Sequence, residues 1–323
     1  MPTDSLQLTV GAAATAGGGA AAADVAIADV ARRRNRRLRR IGRQVALQLI
    51  ALFVAITVLF PIVYVLGLAL DGRNIAKPDG LNLIPPNPSI QAFLTAFNNP
   101  TGNPISFVGL ALNSLKLALT TSLISVGFGV LAAYAFSRLH FRLRSVLMLT
   151  VLAVLMLPAV ATIAPLYVLM NSVRFLGFNL RDSIPGVALA LISGALPFAI
   201  WNLKGYLDTI PKDLEEAATI DGCTRNQAFR YVILPLAMPA IAVTAFLGFV
   251  GGWTDFYFSW MFLDHTQDFT LTMAIYGMQG TYGYTQWNVF SAFAILVALP
   301  VSLFYLFFQR WIIGGLAVGG VKG

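Results

Sequence analysis

The sequence predicts an all-α integral membrane protein with six transmembrane helices, both termini cytoplasmic, and a short cytoplasmic helix between spans four and five. Three observations lead there. Hydrophobic residues make up 57% of the 323, charged residues only 11%, and the mean hydropathy is +0.74, outside the range of ordinary water-soluble domains. The apolar residues gather into runs long enough to cross a hydrocarbon core of about 30 Å, which takes about 20 residues of helix. Lysines and arginines cluster in alternate connections, as the retention of positive charge on the cytoplasmic side requires.

Residues 1–31 are rich in Ala and Gly without a sustained apolar period, which predicts a flexible cytoplasmic extension. The basic stretch Arg32, Arg33, Arg34, Arg36, Arg37, Arg39, Arg40 and Arg43 completes an N-terminal region of residues 1–43. The first span, Gln44–Leu70, is too long for a secretory signal core and lacks a small-residue cleavage site, so it is expected to stay uncleaved. The remaining runs are Leu110–Ser137, Ser145–Asn171, Ser183–Leu207, Pro239–Phe262 and Trp287–Gln309. Unpaired backbone groups are costly in lipid, so each run is expected to be helical.

With the N-terminus inside, Arg138, Arg142, Arg144, Lys204, Lys212, Arg225, Arg230, Arg310 and Lys322 all fall on the cytoplasmic side. Outside lie only Arg73, Lys77, Arg174 and Arg181, with Lys116 at a span margin, where its long stem lets the ammonium reach outward. The net charge of +8 thus marks topology and contact with anionic membrane lipids, and no nucleic acid is needed to account for it.

Cys223 is the sole cysteine, which excludes an internal disulfide and a thiolate metal site. His140 and His265 fall in connections on opposite faces, so no metal site is expected. There is neither a Gly-x-x-x-x-Gly-Lys-Ser/Thr phosphate loop nor a dinucleotide fingerprint. No intramembrane set of nucleophile, acid and base appears either, so the chain is not expected to be an enzyme. Pro61, Pro158, Pro165, Pro197 and Pro300 interrupt the spans, each removing a backbone donor; none is assigned as a hinge. Gly127, Gly129, Gly248, Gly251 and Gly252 are expected to let neighbouring helices approach closely.

The fourth connection, residues 208–238, is too patterned for a plain turn. Pro211 suits a first helical position, and Asp213, Glu215 and Glu216 crowd a first turn, where carboxylates meet the positive end of the helix dipole. Leu214, Ala217 and Ala218 share one face at spacings of three and four. Gly222, after Asp221, can take a positive backbone angle, Thr224 can cap a second helix, and Pro235 is expected to interrupt it. On periodicity alone the segment also fits an amphipathic helix lying on the bilayer surface.

The full spacing, Glu216-Ala217-Ala218-Thr219-Ile220-Asp221-Gly222 followed after nine residues by Val232-Ile233-Leu234-Pro235, resembles the Glu-Ala-Ala loop of ABC-importer permeases. Val232 stands where that family usually has Ile. The tail from Gln309-Arg310-Trp311 to Gly323, with Thr270-Leu271-Thr272-Met273-Ala274 and Gly277-Met278-Gln279, is similar to the G-subunit family of maltose-type importer permeases. The resemblance covers residues 45–323 and implies a permease domain over residues 44–323, in which 208–238 couple to an ATPase and 310–323 form a cytoplasmic tail.

It implies that Glu216, Ala217, Ala218, Asp221, Gly222, Leu234 and Pro235 are gripped by an ATPase dimer that holds ATP and Mg on its own chains. Gly320, Val321, Lys322 and Gly323 are expected to reach toward that dimer. It implies a second homologous permease subunit, an extracytoplasmic sugar-binding protein touching Leu263–Gln286, a sugar substrate, and a bacterial cytoplasmic membrane. For the solute path, Asn113, Trp253, Asp255, Tyr257 and Asn288 are the polar and aromatic residues expected to line it. The main alternative is a secondary transporter driven by an ion gradient, which calls for inverted repeats and paired buried carboxylates that the sequence lacks.

Overall fold

The structure, a computed structural model, describes residues 40–73, 80–175, 178–279 and 285–319. Apart from a two-residue antiparallel pair, β1 (Arg174–Phe175) with β2 (Phe178–Asn179), the named elements among the described residues are helical. The chain divides into two compact units between Val63 and Tyr64. Helix α1 (Arg40–Ala69) runs across that boundary, and its stretch in the first unit, Arg40–Val63, leaves its apolar side chains exposed, with Phe53 at 70% and Leu49 at 60%. Such a surface suits hydrocarbon rather than water. Pro61 lies inside α1 without ending it.

The second unit holds α2 (Gln91–Asn98), α3 (Phe107–Arg138), α4 (Arg144–Leu155), α5 (Ala159–Ser172) and α6 (Ile184–Leu207). After them come α7 (Asp213–Ile220), α8 (Arg225–Ala228), a π-helical turn Phe229–Ile233, α9 (Leu234–Leu236), α10 (Met238–Trp253), α11 (Tyr257–Phe262), α12 (Leu271–Gly277) and α13 (Trp287–Gly319). Helices α1, α3, α6 and α13 are each long and apolar enough to cross a membrane, giving four spans, or up to six if each of two bent pairs counts as one.

Serine caps fix two starts. The Ser106 hydroxyl accepts from the Gly109 amide at 3.4 Å to open α3, and Ser183 accepts from Gly186 at 3.3 Å to open α6, with Pro185 in the first turn. The run expected as Ser145–Asn171 is broken instead. Pro158, extended at ψ 125, separates α4 from α5, and the two helices are bent by 104°, because its ring provides no donor and clashes with the preceding turn. Pro165, Pro197 and Pro300 sit inside helices that continue through them. The run expected as Pro239–Phe262 also splits, α10 ending at Trp253 and α11 starting at Tyr257. The last helix continues past the expected end at Gln309 to Gly319.

Small residues set the centre of the bundle. A Cβ on Gly252 would lie 2.7 Å from the Ala118 Cα, and one on Gly248 3.2 Å from the Ser122 Cα, so α3 and α10 touch backbone to backbone. The Ser122 hydroxyl ties that seam by donating to the Ala245 carbonyl at 2.7 Å. Gly129 faces Ala199 of α6 at 2.8 Å, whereas Gly127 and Gly251 have nothing within 4 Å. Toward the start of α3 the core is Phe107, Leu110, Phe249, Trp253 and Phe293; toward its end it is Val130, Ala133, Leu203, Ile233 and Ala237.

Candidate functional site

At the end of α6 the chain leaves the apolar bundle and builds a helix-turn-helix. Helix α7 carries Asp213, Glu215 and Glu216 in its first turn, where the dipole favours them. It stops at Gly222, whose φ of +90° a residue with a Cβ adopts only under strain. The amides of Gly222 and Cys223 bond back to Thr219 and Ala218 at 3.0 and 2.9 Å. Thr224 then opens α8 with a reciprocal cap. Its hydroxyl accepts from the Gln227 amide at 3.3 Å, and the Gln227 side chain accepts from the Thr224 amide at 2.7 Å.

Pro235 does not interrupt this second helix, as the sequence led one to expect. The backbone widens into the π turn Phe229–Ile233 ahead of it, the known way of absorbing a residue that cannot donate to the α ladder. The helix reaches Leu236, and the break falls at Ala237, beyond which α10 departs at 72°.

What holds this loop is a cluster at the end of α3. Arg138, the last residue of α3, has a side chain only 5% exposed, and its Nε lies 3.2 Å from a Glu215 carboxylate oxygen. Its Nη2 donates to the Ile210 carbonyl at 2.8 Å. The neighbouring Ser137 hydroxyl donates to Asp208 at 2.6 Å, and Lys204 donates to the other Asp208 oxygen at 2.6 Å. Burial works against the charge on Asp208, but the hydrogen bonds from Lys204 and Ser137, with the charges of Lys204 and Arg138, hold its carboxyl below the usual carboxylate range. The Tyr134 ring meets Phe229 at 4.5 Å between centroids.

One side of α7 is therefore anchored and the other is open. Ala218, Ala228 and Ile233 are buried against the bundle. Glu216, Ala217, Asp221, Gly222 and Pro235 are exposed, Leu234 is half-buried, and Ile220 and Tyr231 are 87% and 72% exposed. A hollow of about 550 Å³ runs between Arg138, Glu215, Glu216, Thr219 and Arg225. Sequence reasoning placed Leu214, Ala217 and Ala218 on one face; Leu214 and Ala217 are exposed, while Ala218 turns inward. It also missed Arg138 and Glu215 as a pair, since a contact between distant segments leaves no local pattern.

The residues expected along the solute path are spread over several elements. Buried Asn113 donates to the carbonyls of Gln267 and Phe269 at 2.7 and 3.1 Å. Buried Asn288 donates to those of Asp71 and Arg73 at 3.2 and 3.3 Å. The Asp255 carboxylate caps α11, accepting from the Ser259 amide and hydroxyl at 2.9 and 2.8 Å. Trp253 is 2% exposed, and its indole N–H has no hydrogen-bond partner among the described residues; Tyr257 is 62% exposed. None of the five borders the half-open cavity of about 400 Å³ lined by α3, α4, α5, α6, α10 and α11.

The loop before α6 is clasped to the one after α11. Arg181 pairs with Asp264, Asp182 pairs with His265, and the Asp264 amide donates to Asp182 at 2.7 Å. Among the described residues no group of three or more His, Cys, Asp and Glu could hold a metal ion. Gly320, Val321, Lys322 and Gly323 lie outside the described residues.

Long apolar helices, two bent apolar pairs and a polar helix-turn-helix projecting from them define a multi-pass membrane protein. The chain belongs to the family of binding-protein-dependent transport system inner membrane components, whose model matches residues 125–317. It is 35% identical over 281 residues to the maltose/maltodextrin transport system permease protein MalG of Vibrio vulnificus, covering 82% of this chain and 91% of that one. It is also 35% identical over 266 residues to the trehalose transport system permease protein SugB of Mycobacterium tuberculosis, covering 82% and 93%. In fold it is similar to a chain of a bacterial ABC transporter that imports the acidic polysaccharide alginate, with a TM-score of 0.66 and 23% identity over 84% of this chain and 97% of the other.

Proposed function

We propose that this chain is the permease subunit of an ATP-driven, binding-protein-dependent sugar importer, carrying maltose, maltodextrin or a related oligosaccharide across a bacterial cytoplasmic membrane. The family and the sugar-transporting relatives support this over an ion-gradient-driven carrier. In this reading each bent pair is one span, which makes six, and the Arg138 end of the bundle and both termini face the cytoplasm. A second permease subunit completes the pathway, two ATPase copies bind ATP and Mg, and an extracytoplasmic binding protein delivers the sugar.

The observation that carries the proposal is the two-sidedness of α7. Its exposed side, Glu216, Ala217, Asp221 and Gly222, offers a charge and small residues that a groove on another protein can approach, and Leu234 and Pro235 are assigned to the same contact. Its other side is tied through Glu215 to Arg138 and continues into α10 through α8 and α9. ATP-driven closure of the ATPase dimer would displace α7, and its anchors would pass the movement to α3 and α10, shifting the bundle between inward-open and outward-open states. Gly320 to Gly323 are assigned to the dimer interface. Trp253 and Tyr257 belong to the outer part of the path, shaped by the backbone clamps of Asn113, Asp255 and Asn288.

The test is association. Glu216→Lys reverses the docking charge, and Gly222→Pro forbids the positive φ, while neither touches a span. Both variants should insert normally and lose the ATPase on purification. Recovery of the ATPase at the parent yield would refute the role of α7.

A further inference from the structure

The cavity bordered by α3, α4, α5, α6, α10 and α11 takes no part in the coupling. We infer that it is a docking site for one uncharged sugar ring during passage. This rests on the importer reading and narrows its substrate class to neutral sugars.

Two hydroxyls carry the inference. Thr121 and Ser125, one helical turn apart on α3, are each 2% exposed, border the cavity, and have no hydrogen-bond partner among the described residues. Hydroxyls on the apolar helices here ordinarily satisfy themselves by donating to the carbonyl four residues back, as Thr57, Thr150, Thr244 and Ser302 do. Thr121 and Ser125 do not, and a buried hydroxyl without a partner is costly. Their placement is firm, because the adjacent Ala118 and Ser122 form the backbone-to-backbone seam with Gly252 and Gly248.

The volume, about 400 Å³, exceeds what a water or two would fill at about 30 Å³ each and falls within the usual range for small-molecule pockets of about 300–1,000 Å³. Its walls are mainly apolar, with the rings of Phe198 and Phe258 among them, and no charged side chain among the described residues borders it. Apolar walls suit the C–H faces of a sugar ring, and the two hydroxyls suit its O–H edge. An acidic sugar would bury its carboxylate without a counter-charge, at high cost. Gly251 borders the cavity with nothing within 4 Å of its Cβ position, so the site stays open on the α10 side.

The test uses the complete importer, with its ATPase, second permease and binding protein, in proteoliposomes. In a Cys223→Ser background, Ser125→Cys is reacted with a small uncharged thiol reagent. Maltose or trehalose should slow the reaction several-fold, and an oligouronate should not. In parallel, Thr121→Val combined with Ser125→Ala should lower sugar carried per ATP hydrolysed by about tenfold, the loss expected from removing hydrogen bonds to a solute. Absence of protection by either neutral sugar, or an unchanged ratio, overturns the inference. So does protection by nonanol in place of sugar, which would identify an acyl-chain pocket. A parent complex with no ATP-dependent sugar uptake would sink the importer reading instead, and the protection at Ser125→Cys would still report on the cavity.

Discussion

At the Arg138 end of the bundle, one buried guanidinium holds two parts of the polar loop at once, the Ile210 carbonyl and the Glu215 carboxylate. At the opposite end the clamps are distributed. Asn113 and Asp182 each bind the backbone of the loop between α11 and α12, and Asn288 binds that of the loop after α1, with the Arg181–Asp264 and Asp182–His265 pairs beside them. A hub makes a lever that moves as one piece, whereas separate clamps let each loop hold its shape alone. Substitution should therefore cost more at the hub than at any single clamp.

The largest effect is expected from Arg138→Ala, which leaves Glu215 without its partner and should cost about 3 kcal/mol. Hydrogen exchange across residues 208–236 would read it as lost protection confined to the loop. Restoring packing with Arg138→Met and Glu215→Met together should recover most of that protection, and equal loss in the double variant would mean the pair is not the anchor. Next, Gly252→Val drives a side chain into the Ala118 backbone and should cost about 1–3 kcal/mol. Gly251→Val on the next residue meets open space and should change thermal stability by only about 0.5 kcal/mol. Equal effects would dissolve the seam.

Smaller again, Asn113→Leu strips a donor from two carbonyls and should cost about 1–2 kcal/mol, seen as faster exchange in residues 267–271 alone. The smallest effect is on acidification. Asp208 is held below its ordinary range, so its contribution is complete above the unfolded carboxylate value of about 4 and is lost as pH falls through the lower folded one. Protection of the 208–213 segment should be flat from pH 7 to 5 and decline only below that. Asp208→Asn should abolish the decline, and a decline already complete at pH 5 would assign it to another group.

Hydropathy located the straight spans well. The run Leu110–Ser137 lies within α3, and Ser183–Leu207 matches α6 and its cap, because a uniform apolar stretch in lipid has no alternative to a helix. The breaks were harder. Pro158 breaks its run while the helices continue through Pro165, Pro197 and Pro300, and composition alone does not separate a proline that ends a helix from one that lies within it. In the polar loop the Gly222 angle and the Thr224 cap were legible, since both are local rules, whereas the expected interruption at Pro235 and the shared face of Leu214, Ala217 and Ala218 were not observed. The Arg138 anchor and the Thr121–Ser125 cavity were not. Each exists only once distant helices meet, and in the sequence Arg138 is one more topology charge and Thr121 one more small residue.

The central claim is that α7 protrudes into the cytoplasm and is gripped there by a separate motor. Placing a cysteine on its open side with Ala217→Cys, in a Cys223→Ser chain, and exposing it to a membrane-impermeant maleimide tests both halves. The account predicts rapid labelling in inside-out vesicles stripped of the ATPase, strong protection when the ATPase is restored, and no labelling in intact cells. Labelling from the outer side, or labelling indifferent to the ATPase, would contradict it.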